Sequence, residues 1–597
     1  MTAPVRYTVV PADPRAHRFR VTCDATAPST DALVFRLPAW IRGSYLVRDF
    51  AKHVFGLRAW RGGLEVEIER IEKSAFRVSA GQSAIRIEYG VHAFDESVRK
   101  AFLDGRRGFF NASSLCYVPD GQRDRRCELR LERPPGDAFA AWRVATAMTR
   151  TADVDEAGFG TYAAADYEEL IDHPFELGEF RRFDIAAGGV PHALVIAGRT
   201  EIDAERVTAD LAKICEAQRE MFGGEPALAE YLFLTNVVAV GYGGLEHRAS
   251  TALICSRGDI PRPGQATTSR EYRGFLGLCS HEYFHLWNVK RITAASFLDN
   301  DLSREAYTRD LWHYEGVTSY YDDLFLLRAG MVDVPAYLDL VAENATRLWR
   351  SPSRRVQTLE DASFETWIKY YQPDDNTPNA ATNYYVKGGL AALCIDLTLR
   401  RDTAITLDDV MRELWKRYGR TGIGVPERGL EDVAVSMAGE SLREVFDHAL
   451  RSTHELPIAE LLEAFGVRAS LRGCTSVIDE GGRTMARGAL PWLGLRLRGG
   501  DVVVGHVLDG GPAQAAGLSA GDLVVAIDGY KATANNWNRR LEALVPGQPV
   551  ALHFFRGDEL LSCELVPRAA PLDTWTIVLA EDADAAAVER RKRWIGA

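Results

Sequence analysis

The sequence predicts a multidomain α+β protein with a β-sandwich-like N-terminal domain, a mainly helical middle region and a small C-terminal module of short strands. Three observations carry this. Up to Phe180, short runs alternate in polarity between Gly, Pro, Asp and Ser punctuation. From Asp203 onward, apolar residues recur at helical spacing. From Pro491 to Val566, strand-like runs return, joined by Gly-Gly and Asp-Gly turns.

In chain order, the N-terminal domain is expected over 1–180, with strands such as Phe19–Thr22, Leu33–Leu37 and Ala84–Tyr89. The middle region, 181–480, carries helical patterns at Asp203–Phe222, Arg270–Asn288, Arg309–Arg328, Val332–Trp349, Tyr384–Arg400, Thr406–Tyr418 and around Leu442–His448. Between the first of these, Tyr231–Val240 and Ser250–Cys255 read as strands of a small sheet. A Gly/Arg-rich linker, Gly481–Gly488, precedes the module at 488–570, and 571–597 reads as a tail or helix. A chain of 597 residues exceeds one core. Its 46% hydrophobic content is ample for several cores without disulfides or a structural metal.

The net charge of −12 argues against a nucleic-acid partner, and the basic run Arg590–Arg593 reads as a solvated helix face. The nine cysteines form no C-x-x-C pair and read as buried free thiols of a reducing compartment. Met1–Thr8 has no basic start followed by an apolar run. The longest uncharged apolar stretch, Tyr231–Leu245, contains Thr235, Asn236 and three glycines, too polar and short for a bilayer. A cytoplasmic protein without a membrane partner is expected.

The strongest chemical signal is His281-Glu282-Tyr283-Phe284-His285. Residues four apart on a helix share a face, so both imidazoles can reach one ion while Glu282 flanks it. Zinc suits such a pair, because it accepts histidine nitrogens and leaves a position open for water. It lowers the pKa of that water from about 15.7 to about 7, and Glu282 is placed to relay the proton. A third ligand is available at Glu315, with 29 residues between it and His285, enough for a loop and a returning helix. His313 is a rival, although it lies about 200° around the helix from Glu315. Each residue also has a plainer reading: histidines satisfied in a core, and a solvated helix glutamate.

His281-Glu-Tyr-Phe-His-Leu-Trp-Asn-Val-Lys-Arg291, with Glu315-Gly-Val-Thr-Ser-Tyr-Tyr321, resembles the glycyl aminopeptidase family, metallopeptidase family sixty-one. Leu37-Pro-Ala-Trp-Ile-Arg-Gly-Ser-Tyr-Leu46 looks like that family's N-terminal β-domain signature, and a C-terminal PDZ module is typical of it. The resemblance implies a gluzincin: a thermolysin-like catalytic domain holding one Zn2+ per chain through His281, His285 and Glu315, with Glu282 catalytic. Gly243-Gly244-Leu-Glu246-His247 is similar to the Gly-x-Met-Glu-Asn segment of alanyl-type relatives, whose glutamate holds the substrate's α-amine. That implies substrate binding by Gly243, Gly244 and Glu246, with His247 standing where the relatives have Asn. The plainer reading is a Gly-rich turn with a surface glutamate.

Asn383-Tyr-Tyr-Val-Lys-Gly388 resembles the Tyr-x-Lys-Gly motif whose tyrosine donates to the oxyanion. It selects Tyr385, with Tyr384 open as the alternative, since one residue swings a side chain about 100° around a helix. Lys290 and Arg291 either bind a carboxylate or cap the helix C-terminus. In the module, Leu493-Gly-Leu495 looks like a PDZ carboxylate-binding loop, and Gly511–Gly529 resembles bacterial protease PDZ cores, with Leu518, Leu523, Val525 and Ile527 filling the interior. The expected activity is release of small N-terminal residues, Gly or Ala by resemblance, from peptides with a free N-terminus. A C-terminal peptide at the PDZ groove is a second expected partner. The alternatives are a zinc endopeptidase and a catalytically silent PDZ adaptor.

Overall fold

A computed structural model describes residues 3–26, 32–79, 83–298, 300–484 and 488–596. Residues 485–487 of the expected linker therefore lie outside the described residues. The chain forms two compact units, Met1–Tyr307 with Trp415–Pro426, and Thr308–Leu414 with Glu427–Ala597.

In the first unit the N-terminal residues build an eight-stranded sheet and two four-stranded sheets. Strict alternation explains the strands: along Arg18–Ala25 every second residue, Phe19, Val21, Cys23 and Ala25, is buried. Three core tyrosines satisfy their hydroxyls on one irregular stretch: Tyr7 donates to the Tyr117 carbonyl at 2.9 Å, Tyr89 to Leu115 at 2.7 Å and Tyr167 to Cys116 at 2.6 Å.

The same unit continues into strands β1 (Arg181–Ala187) and β2 (Val190–Ala197), helix α1 (Ala204–Met221), strands β3 (Tyr231–Val238), β4 (Tyr242–Glu246) and β5 (Ser250–Ser256), and helix α2 (Arg270–Phe284). The sheet order is β1-β2-β3-β5-β4. β2, β3 and β5 run parallel, whereas the edge strands β1 and β4 are antiparallel. Helix α2 starts at Ser269, whose hydroxyl accepts from the Tyr272 N–H. It is fastened by Gln218 of α1, whose amide donates to the Ser280 carbonyl at 2.9 Å, and by Tyr283, paired with His192 of β2 at 2.8 Å.

In the second unit a π-helical turn, Trp312–Val317, runs into α3 (Thr318–Arg328). Helices α4 (Val334–Trp349) and α5 (Tyr384–Asp402) follow. Strand β6 (Val467–Arg472) precedes the module, a sheet of β7 (Leu495–Arg498), β8 (Val503–Val507), β9 (Leu523–Ile527), β10 (Val550–Arg556) and β11 (Glu559–Leu565) in that spatial order, with helix α6 (Trp537–Glu542). Its core takes Leu518 and Ile527 as expected, but Val524 rather than Leu523 or Val525. The β9–β10 register slips between Val524 and Ala526, so simple alternation fails there.

The stretch 571–597, read as a tail or helix, holds both β12 (Thr574–Leu579), antiparallel to β6, and α7 (Ala585–Ile595). All nine cysteines are free thiols, most of them buried. Among the described residues no helix is long and apolar enough to cross a membrane.

Candidate metal centre

Helix α2 presents His281 half-buried and His285 buried, their rings 4.7 Å apart and nearly perpendicular, with ligand nitrogens within 4.8 Å of one another. The His285 Nδ1 lies 2.7 Å from the Asn288 carbonyl, which can only accept, so Nδ1 carries the proton and the Nε2 lone pair is left for a metal. Two imidazoles one turn apart, one with its tautomer set in this way, fit a zinc ion.

Glu282 is buried on the same helix and lies against edge strand β4. The approach is so close that a Cβ at Gly244 would stand 2.1 Å from the Glu282 Oε1. Gly243 adopts φ +154°, and Arg99 donates to the Gly244 carbonyl at 3.3 Å. Glu246 closes the strand, buried, and the ligand atoms of Glu246, Glu282 and His285 all lie within 4.8 Å of one another. Gly43, at φ +90°, covers the Glu246 carboxylate: a Cβ there would fall 2.2 Å from its Oε1. The loop bearing Gly43 is held by Trp40, whose indole N–H donates to the Arg304 carbonyl at 2.8 Å.

Behind this edge sits the buried Asp172. Burial alone would raise its carboxyl, but Lys290 at 2.5 Å and His247 at 3.5 Å hold it well below the usual carboxylate range. Lys290 is thereby committed to Asp172. Arg291 donates to the Leu286 carbonyl at 2.8 Å and to that of Arg248, which is the helix-capping alternative.

In the second unit Glu315 is buried in the π-helical turn. Gly316 and Gly388 let α5 pack on that turn backbone to backbone, since a Cβ at Gly316 would stand 2.5 Å from the Gly388 Cα. Helix α5 starts at Asn383, whose side chain accepts from the Tyr385 and Val386 N–H groups. Tyr384 is fully buried and its hydroxyl accepts from Thr366 at 3.0 Å, whereas Tyr385 is half-buried with its hydroxyl 3.2 Å from that of Tyr371. Burial and then the Glu315 carboxylate raise Tyr385 well above the usual phenol value, so it stays a donor. Lys387 is buried, its ammonium 3.4 Å from the Gln357 carbonyl, and burial pushes it down to about 8. His313 is buried, which pushes its imidazole down to about 3 and keeps it neutral.

The Peptidase M61 N-terminal domain family matches residues 6–179, the M61 glycyl aminopeptidase family residues 274–391, and the PDZ domain family residues 486–566. Among solved structures, an aminopeptidase N family protein from Idiomarina loihiensis is similar over 99% of this chain and 100% of its own, with 37% identity and a TM-score of 0.94. The chain belongs to the M61 glycyl aminopeptidase family. An M1 zinc metallopeptidase from Deinococcus radiodurans is 15% identical, covering 76% of this chain and 94% of its own at a TM-score of 0.49. No curated protein matches the chain.

This M61 chain is a metallopeptidase of β-rich N-terminal, mainly helical catalytic and C-terminal PDZ parts. Its site contains groups that sequence reasoning passed over. Gly43 stood in the quoted N-terminal signature, but nothing there pointed to a carboxylate. Arg99, Asp172 and Tyr371 had no signal at all, since each acts across a long stretch of chain.

Proposed function

We propose that this M61 peptidase is a zinc-dependent aminopeptidase releasing small N-terminal residues, Gly and Ala foremost, from peptides. His281, His285 and Glu315 would hold one Zn2+. The family match at 274–391 contains all three, together with Glu282 and Tyr385. Bound zinc supplies a Lewis acid that activates water and polarises the scissile carbonyl at neutral pH.

The observation that carries the reading is the crowding of Glu246, Glu282 and His285 within 4.8 Å on one helix and one strand edge. Two buried carboxylates side by side ask for a cation. Glu246 is placed to pair with the substrate's ammonium, and such a pair fixes cleavage one residue from the N-terminus. Glu282 accepts the proton of the attacking water and returns it to the leaving amine. Tyr385, the half-buried member of the pair, donates to the oxyanion, whereas Tyr384 is fully buried beside Thr366. In an endopeptidase Glu246 would be incidental to substrate binding.

The preference for Gly and Ala is carried by the match to the M61 glycyl aminopeptidase family. The PDZ module is proposed to take a peptide C-terminus, which leaves a catalytically silent adaptor as the competing reading.

Hydrolysis of Gly- and Ala-anilides beside an N-acetylated peptide tests the proposal. Chelator-sensitive turnover of free N-termini alone is expected, and Glu282→Gln should keep its zinc while losing about 10²–10⁴-fold in kcat. Cleavage of the blocked peptide would establish an endopeptidase. Undiminished turnover by Glu282→Gln would remove the mechanism.

A further inference from the structure

Strand β7 is the edge of the PDZ sheet, and among the described residues no strand pairs with its outer side. Alternation divides its side chains. Leu495 and Leu497 pack onto the module's core, which includes Trp537 and Leu541 of α6. Arg496, between them, lies on the opposite face, where its guanidinium donates to the Arg350 carbonyl at the end of α4 at 2.7 Å. The two faces line one groove of about 810 Å³, whose walls include Leu493, Leu495, Trp537, Arg350, Arg354 and Arg496. One wall thus belongs to the module and the other to the segment that follows α4.

The charges on that second wall are unequally matched. Arg350 faces Asp573 at 3.5 Å, while Arg354 and Arg355 share the single carboxylate of Glu455 at 3.2 and 2.8 Å. Among the described residues no carboxylate lies within ion-pair distance of Arg496. Burial and the neighbouring Arg350 press its guanidinium toward losing its proton, and only Asp573 opposes them. Asp501 and Asp509 also line the groove, but the wall around Arg496 sets four arginines, Arg350, Arg354, Arg355 and Arg496, against the two carboxylates of Asp573 and Glu455.

We propose that the groove binds peptide C-termini carrying acidic residues at the first and third positions before the last, selected by Arg496 against the wall formed by Arg350 and Arg354. This rests on the module's acting as a clamp for peptide ends, and it adds the sequence that the clamp selects. A peptide added to β7 as a further strand must alternate as β7 does. Its last residue and every second one before it meet Leu495, Leu497 and Trp537. The residues between them meet Arg496. The terminal carboxylate meets the N–H groups of the Leu493-Gly494-Leu495 loop, where Gly494 at φ +71° packs against Gly511 with no room for a Cβ.

Fluorescence anisotropy on the full chain tests this with the peptide Gly-Ser-Glu-Thr-Asp-Leu, labelled on its N-terminus so that it resists an aminopeptidase. The expected result is binding that weakens about tenfold when Glu and Asp become Lys, and comparably when the C-terminus is amidated. Arg496→Glu should reverse the preference, Arg496→Lys should retain it, and both should hydrolyse Ala-anilide as the wild type does. Equal affinity for the acidic and the lysine peptides, both needing a free C-terminus, would overturn the acidic selection and leave the clamp standing. Absence of binding by any of them, with hydrolysis intact, would overturn both. If Arg496→Glu lowers the melting temperature, Arg496→Gln supplies the same comparison without the reversed charge.

Discussion

Two edge strands of this protein solve opposite problems. Strand β4 holds buried carboxylate chemistry: Gly244 lies against Glu282, Glu246 lies under Gly43, and one added methyl at either glycine would stand inside the carboxylate. Strand β7 carries two half-buried leucines and two arginines, and its outer side borders an open groove. The first edge is specified by what must be absent, the second by the alternation of what is present. A strand next to buried charge is thus intolerant of small additions, whereas a strand beside an apolar groove is sensitive to which face a residue occupies.

The largest effect that separates the two edges is expected from Gly244→Ala. Its Cβ forces Glu282 away from its place, so kcat on Ala-anilide should fall by about 10²-fold or more while zinc content is kept. Leu497→Ala, a larger deletion on β7, should leave that kcat unchanged and lower stability by about 1–2 kcal/mol. Equal kinetic behaviour of the two variants, measured beside thermal melts, would erase the contrast.

A smaller effect asks whether the same crowding governs the second unit. Tyr385→Phe should lower kcat by about 10²-fold with little change in KM, the loss typical of one oxyanion donor. Tyr384→Phe should instead cost about 1 kcal/mol of stability through its lost bond to Thr366. Reversed outcomes would assign the oxyanion to Tyr384 and return the motif to its other register.

How much of this could be read beforehand depended on distance along the chain. The His281–His285 pair was legible because one helical turn brings its members together, and Asn383 marks the start of α5 within three residues of Tyr385. The PDZ core was legible except where a slipped register moved Val524 inward. Gly43 over Glu246, Asp172 beside Lys290, and β12 against β6 were not legible. Each joins segments far apart in sequence, and a lone glycine, aspartate or short apolar run carries no mark of its partner. The π-helical turn under Glu315 was also hidden, since its residues keep a helical pattern and only the Gly316–Gly388 contact sets it apart.

A third effect, read in stability and not in turnover, concerns the support behind β4. Asp172 is a buried carboxylate whose folded-state pKa is depressed, chiefly by Lys290 once burial has been overcome. Such a group stabilises the fold above its unfolded value of about 3.9. That contribution is lost as pH falls below this value toward the folded one. Melting temperature should therefore drop on acidification below about pH 4. Asp172→Asn, which leaves Lys290 buried without its partner, should be less stable at pH 7 by about 3–5 kcal/mol and show a shallower acid limb. Arg496→Gln at the other edge, where among the described residues no carboxylate is paired, should leave the acid limb unchanged. If Asp172→Asn kept the full acid limb, the linkage would reside in other carboxylates, and the β4 edge would depend on its glycines rather than on the charge behind it.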